Sequence, residues 1–149
     1  VDILTVDNDC DTRELYKIVF EDYGANVVTA GSVIAGMEAL DSQAFDAVIC
    51  EIRFAGESVY PLIQKLRFMD QISGRTTPIL VTSTCPSAEL TRHLTVKVEA
   101  YLLKPIALSH LVEAVWNTVF WSKITHPSGI LELGYKSKSE QEWALLNIA

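Results

Sequence analysis

The chain has 149 residues and a formal net charge of −7 at pH 7, enough for one domain and a modest extension. Apolar residues make up 49% of it, which excludes a disordered chain, and no apolar run reaches the roughly eighteen residues of a membrane span. Lys and Arg are dispersed, so direct nucleic-acid binding, which needs clustered cations against phosphates, is not expected.

The chain opens on Ile3-Leu4-Thr5-Val6, a short apolar run that reads as a strand. Without a basic stretch or a cleavage site, the first residues do not read as a signal peptide. The polar cluster Asp7-Asn8-Asp9-Cys10-Asp11 follows. Leu15, Ile18, Val19 and Tyr23 then recur at helical spacing, with Gly24 at the expected helix end. Asn26 to Ala30 reads as a second strand, and Ser32 can cap a second helix that turns Met37 and Leu40 inward.

Ala47-Val48-Ile49-Cys50 is a third strand, apolar throughout as a strand covered on both faces should be. Ser58 is expected to open a third helix, with Pro61 in its first turn. Pro78 to Ser83 reads as a fourth strand and Ser87 to about Val96 as a weaker helix. Ala100-Tyr101-Leu102-Leu103 is a fifth strand, stopped by Lys104-Pro105. Leu108, Leu111, Val112, Val115 and Val119 mark a last amphipathic helix ending near Trp121. Five strand–helix units in succession imply a parallel sheet with helices on both faces. Residues 1–121 are therefore expected to form the domain and residues 122–149 an extension, with turn chemistry at His126-Pro127-Ser128-Gly129, a short strand at Ile130 to Leu133 and a short helix from Ser139 to Asn147.

Three cysteines, Cys10, Cys50 and Cys85, are far apart and odd in number. They fit neither a disulfide framework nor a zinc pattern, and read as buried or half-buried thiols in a reducing cytoplasm. His93, His110 and His126 are scattered without metal or phosphotransfer spacing.

Ligands of an open parallel sheet bind beyond the carboxyl ends of its strands. Here those ends carry Asp7-Asn8-Asp9, Glu51, Thr82-Ser83-Thr84 and Lys104-Pro105, so acids, hydroxyls and a lysine converge on one edge. The segments ILTVDNDCDTRE, FDAVICEIRFAG, PILVTST and AYLLKP resemble the strand ends of response-regulator receiver domains, in order, over roughly Asp2 to Trp121. The resemblance implies a flavodoxin-like, doubly wound α/β fold with strand order 2-1-3-4-5. In that family two acids after the first strand bind Mg²⁺, an aspartate ending the third accepts a phosphoryl group, and a hydroxyl and a lysine hold the phosphate oxygens. Carried over, Asp7 and Asn8 fall on the acid pair, Glu51 on the acceptor, Ser83 on the hydroxyl and Lys104 on the lysine. Tyr101 falls on an aromatic that moves with the hydroxyl; as plain residues, it equally reads as a packed side chain.

Two departures matter most. Glu51 is one methylene longer than aspartate, and in-line phosphoryl transfer tolerates little misplacement, about a hundredfold in rate for an error near 1 Å. Asn8 replaces an acid by a neutral amide, which weakens any Mg²⁺ site made by Asp7, Asn8 and Glu51, although Asp9 stands close by. Arg53 is placed either to pair with Glu51 or to remain a surface arginine. Ala55 stands where the family has proline, and Ala107 where a helix cap is usual, a loss of about 1 kcal/mol.

The expected function is a pseudo-receiver: a cytoplasmic, non-enzymatic signalling module that binds a protein partner, or itself as a homodimer, through the last helix and fifth strand. It would work without cofactor and without phosphorylation. Glu51 then either leaves an inert pocket or imitates the phosphorylated state by reaching toward Lys104 or Ser83. Trp116, Phe120 and Trp121 read either as packing for the extension or as part of that partner surface. An alternative is a Mg²⁺-dependent receiver phosphorylated at Glu51. Another is a flavodoxin-like small-molecule enzyme, disfavoured because no glycine-rich phosphate loop follows the first strand. The extension is too short and too poor in basic residues for a DNA-binding output.

Overall fold

A computed structural model describes residues 1–54, 56–84 and 98–125. The expectations for Ala55, Cys85, His93, His126, the helix from Ser87 and the extension beyond Thr125 fall outside the described residues, as does the Arg53 side chain. The elements, in order, are β1 (Asp2–Val6), α1 (Cys10–Asp22), β2 (Asn26–Ala30), α2 (Val33–Ser42), β3 (Ala47–Glu51), β4 (Arg53–Phe54), β5 (Glu57–Ser58), α3 (Tyr60–Ser73), β6 (Ile79–Ser83), β7 (Ala100–Leu103) and α4 (Leu108–Thr125).

Five strands form one parallel sheet in the order β2-β1-β3-β6-β7. With the two short strands of the β4–β5 hairpin set aside, this is the expected 2-1-3-4-5 order. Every residue of β3 and β6 is buried, as central strands covered on both faces must be. Alternation splits the core in two. Ile3, Ile49 and Leu80 pack with Tyr16 and Phe20 of α1 and Leu111, Val112, Val115 and Val119 of α4. Leu4, Val6, Val48, Cys50 and Val81 pack on the other face with α2 and α3, through Leu40, Leu62, Ile63 and Leu66.

Local chemistry explains the helix ends. Ser32 caps α2 by accepting from the Ala35 N–H at 3.1 Å. Gly24, at φ 87°, follows the C-cap of α1, and its N–H donates to the Glu21 carbonyl at 2.9 Å. Gly36 is required by close packing: a Cβ there would lie 3.0 Å from Val6 Cγ2 and 3.2 Å from Leu62 Cδ1.

Three expectations are corrected. The buried stripe of α1 is Tyr16 and Phe20, with Val19 beside them, while Leu15 and Ile18 are exposed. Ser58 does not cap α3. It lies in β5, Val59 takes the cap position, and the Ser58 hydroxyl accepts from the Tyr60 N–H one step further out. The last helix runs four residues past Trp121 to Thr125, its added turn tied by the Ser122 hydroxyl donating to the Thr76 carbonyl at 2.6 Å.

Candidate functional site: the carboxyl edge of the sheet

Continuing the strand alternation places Thr5, Asp7, Glu51, Thr82 and Lys104 on the α1/α4 face at the carboxyl ends of β1, β3, β6 and β7. The ladder carries on past the last strand residues. The Asp7 N–H donates to the Ala30 carbonyl at 3.1 Å and the Lys104 N–H to the Ser83 carbonyl at 2.7 Å. Both side chains are thereby aimed from fixed backbone.

Lys104 Nζ lies 2.7 Å from Asp7 Oδ2 and 2.7 Å from Glu51 Oε2. Both carboxylates are buried, at 2% and 4% exposure. Burial pulls the Lys104 pKa down, but the hydrogen bonds to Asp7 and Glu51 outweigh it, so the net shift is upward. The ammonium thus stays charged and neutralises one of the two acids. Asp7 is held further: its Oδ1 accepts from the Asp9 N–H at 2.8 Å and its carbonyl from Arg13 Nη1 at 2.7 Å. The Arg13 guanidinium rests over Gly31, where a Cβ would stand 3.2 Å from Nη1. Beside Glu51 in the chain, the Cys50 thiol is fully buried and its pKa is pushed up to about 12, by burial first and the Glu51 charge second.

The third expected metal residue is arranged differently. Asn8 is exposed. Asp9 does not turn toward Asp7; its carboxylate caps α1, accepting from the Thr12 N–H at 3.3 Å and from the Thr12 hydroxyl. Its pKa is lowered, the Thr12 hydroxyl being the largest cause. Mg²⁺ demands several oxygen ligands in near-octahedral array. Here both buried carboxylates are engaged by an ammonium, the neighbouring acid is committed to a helix cap, and among the described residues no group of three or more His, Cys, Asp or Glu gathers to hold a metal. The donor set does not fit the ion.

The sequence profile of the response regulator receiver domain matches residues 3–116. The chain belongs to that family. The transcriptional regulatory protein ZraR of Escherichia coli is 27% identical over 113 residues, 74% of this chain and 24% of ZraR, so the receiver domain spans about a quarter of that relative. Among solved structures, the receiver domain protein of Methanospirillum hungatei matches with a TM-score of 0.74 at 20% identity, over 82% of this chain and 95% of that one. The chemotaxis protein CheY4 of Vibrio cholerae gives 0.71 at 21%, over 79% and 98%. A receiver protein of Pseudomonas putida gives 0.67 at 26%, over 76% and 93%.

Within this receiver domain the structure brings Asp7, Glu51 and Lys104 together. Ser83 is fully buried at the same edge but shares its alternation with Val81, on the α2/α3 side. Tyr101 is half-buried and packs against that same core. Of two further neighbours of the acid–lysine group, sequence reading named Thr82 at the strand end but gave the pocket hydroxyl to Ser83, and it missed Tyr16. Thr82 faces Glu51 in register across β3–β6, and its hydroxyl is buried without a hydrogen-bond partner, as is that of Thr5. Tyr16 is buried, and its phenol pKa is raised, by burial above all and then by Asp7 and Glu51 against an opposing effect of Lys104. Strand parity was the available signal for Thr82: it lies an even number of residues from Leu80.

Elsewhere, His110 is exposed, and Cys10 is an exposed free thiol, contrary to its expected burial. Trp116 is partly buried against the α1/α4 core, whereas Trp121 is 59% exposed and meets Phe120 edge-to-face at 5.7 Å. No helix among the described residues is long and apolar enough to cross a membrane.

Proposed function

We propose that this receiver domain signals through protein contact and does not need a phosphoryl group at residue 51. The observation that supports it is the pair of 2.7 Å contacts from Lys104 Nζ to Asp7 and Glu51. In a receiver that accepts phosphate, the lysine serves the phosphoryl oxygens. Here a native carboxylate already uses it, on a side chain one methylene longer than the usual acceptor. Neutral Asn8 and the helix-capping Asp9 leave no ready metal site to assist transfer.

The partner surface in this reading is the face of α4 and β7, where Leu103 and Trp121 stand 48% and 59% exposed. The occupant is a partner protein, or a second copy in a homodimer. The role is signalling rather than catalytic, in the cytoplasm, with the signalling unit running past the expected boundary at residue 121 to the end of α4 at Thr125 and residues 126–149 as an extension.

The same distances favour a second reading, in which Glu51 holds Lys104 as a phosphoryl group would and keeps the domain permanently in its signalling state. That requires Glu51 to prefer one conformation over the other by a real margin.

One experiment tests the main reading. The protein and its Glu51→Asp variant are incubated with Mg²⁺ and a small-molecule phosphodonor, and intact masses are measured. No phosphoryl gain on the native protein is expected. Gain on the variant alone identifies Glu51 as the block; gain on the native protein overturns the proposal. The second reading is checked by self-association of native protein against Glu51→Gln, which keeps the length and loses the charge. Equal association of the two sinks it.

A further inference from the structure

Helix α3 turns Leu62, Ile63, Leu66 and Asp70 inward. Its exposed positions Pro61, Gln64, Phe68, Gln71 and Ile72 carry no charge, and Lys65 beside them is partly buried and turned to Asp41 at 2.8 Å, although the chain as a whole is at −7. Phe68 and Ile72 are 63% and 72% exposed and stand four residues apart, so their side chains form one apolar ridge along the helix. A solvent-facing helix usually carries charges on this side. A bare ridge with two large apolar side chains is the pattern of a covered face.

The chain supplies an occupant. Helix α4 ends at Thr125, and the Ser122 hydroxyl bonds the Thr76 carbonyl at 2.6 Å. Thr76 lies just past Gly74, the C-cap of α3. Residues 126–149 therefore start beside the C-terminal end of α3, where Ile72 sits on the last turn. Within them, Ser139-Glu140-Gln141-Glu142 has the spacing of a capping box, followed by Trp143, Leu145 and Leu146. Thirteen residues, 126–138, join this segment to α4 and span up to about 45 Å when extended, twice the roughly 21 Å length of α3.

We propose that residues 139–147 dock in cis on the outer face of α3, laying Trp143 and Leu146 against Phe68 and Ile72. This goes beyond the signalling proposal and does not depend on the chemistry at Glu51. In such a contact the apolar side chains of the two segments bury what neither can bury alone.

The test is hydrogen exchange, read by mass spectrometry on the 149-residue chain and on a Phe68→Ser/Ile72→Ser variant, at several protein concentrations. Both substituted side chains are exposed, so β3 and β6 should stay protected and report an intact fold. The expected result is slowed exchange over residues 139–147 in the native chain, independent of concentration, and at least tenfold faster exchange there in the variant. Absence of protection in the native chain, or protection unchanged in the variant, overturns the proposal. Protection that grows with concentration also overturns it, since the face would then be filled by a second copy.

Discussion

Glu51 and Lys104 meet at 2.7 Å although β3 and β7 are not neighbours, β6 lying between them. The lysine side chain reaches over the end of β6 to find its acid, and Asp7 receives it from the other side. Lys104→Met removes a cation that contacts two buried carboxylates. It should cost about 3 kcal/mol at pH 7, since both buried acids lose a charged partner. Because folding raises the Lys104 pKa, its contribution is complete below the ordinary lysine value of 10.5 and is lost as pH rises through the higher folded value. Urea titrations at pH 7 and above pH 11 should therefore show the gap between native protein and variant narrowing in alkali.

Gly36→Ala sets two small effects against each other. Alanine gains about 1 kcal/mol of helix propensity. Its Cβ, however, would sit 3.0 to 3.3 Å from Val6 and Leu62, both packed in the core with no room to retreat, and overpacking costs about 1–3 kcal/mol. A net loss of about 1 kcal/mol is expected in the urea midpoint; a gain would show that this core yields.

Asp70 ties α3 to the start of β6 at the opposite edge of the sheet. Its Oδ2 accepts from the Thr77 N–H at 2.8 Å and from Arg67 Nη1 at 3.3 Å, and its Oδ1 from the Thr77 hydroxyl at 2.7 Å. Asp70→Asn puts an amide N–H₂ against donors and should cost about 2 kcal/mol. Chemical denaturation gives the number, and an unchanged midpoint would contradict this bonding pattern.

The cysteines give a chemical check on burial. In a Cys85→Ser background, Ellman's reagent should titrate Cys10 promptly and Cys50 only after denaturant is added. Cys50 is sealed in the α2/α3 core with its pKa pushed up to about 12, and the thiolate is the reacting form.

The strands were legible because β1, β3, β6 and β7 are apolar runs bounded by polar residues, and the ends of β1, β3 and β7 named Asp7, Glu51 and Lys104. The buried side of α1 was not. Leu15 with Ile18 and Tyr16 with Phe20 form adjacent stripes of similar hydrophobicity, and only the angle at which the helix lies on the sheet chooses between them. The β4–β5 hairpin escaped because two-residue strands carry no period. The direction of Asp9 was also out of reach, since whether an acid caps a helix or faces a pocket depends on the backbone at one residue.

At the far edge of the sheet, Glu99 grips Ile79 twice. Its N–H donates to the Ile79 carbonyl at 2.9 Å, and its carboxylate accepts the Ile79 N–H while Arg67 Nη2 holds both carboxylate oxygens at 3.0 Å. At the near edge, Lys104 and Ser83 close the same strand pair. With β7 locked to β6 at top and bottom, a one-residue slip, which would exchange its faces, is blocked whatever the length of the crossover between them. Doubling the length of a connection costs only about 0.6 kcal/mol in closure entropy, so the register of β7, and with it the placing of Lys104, is set by these end contacts and not by the length of chain between the strands.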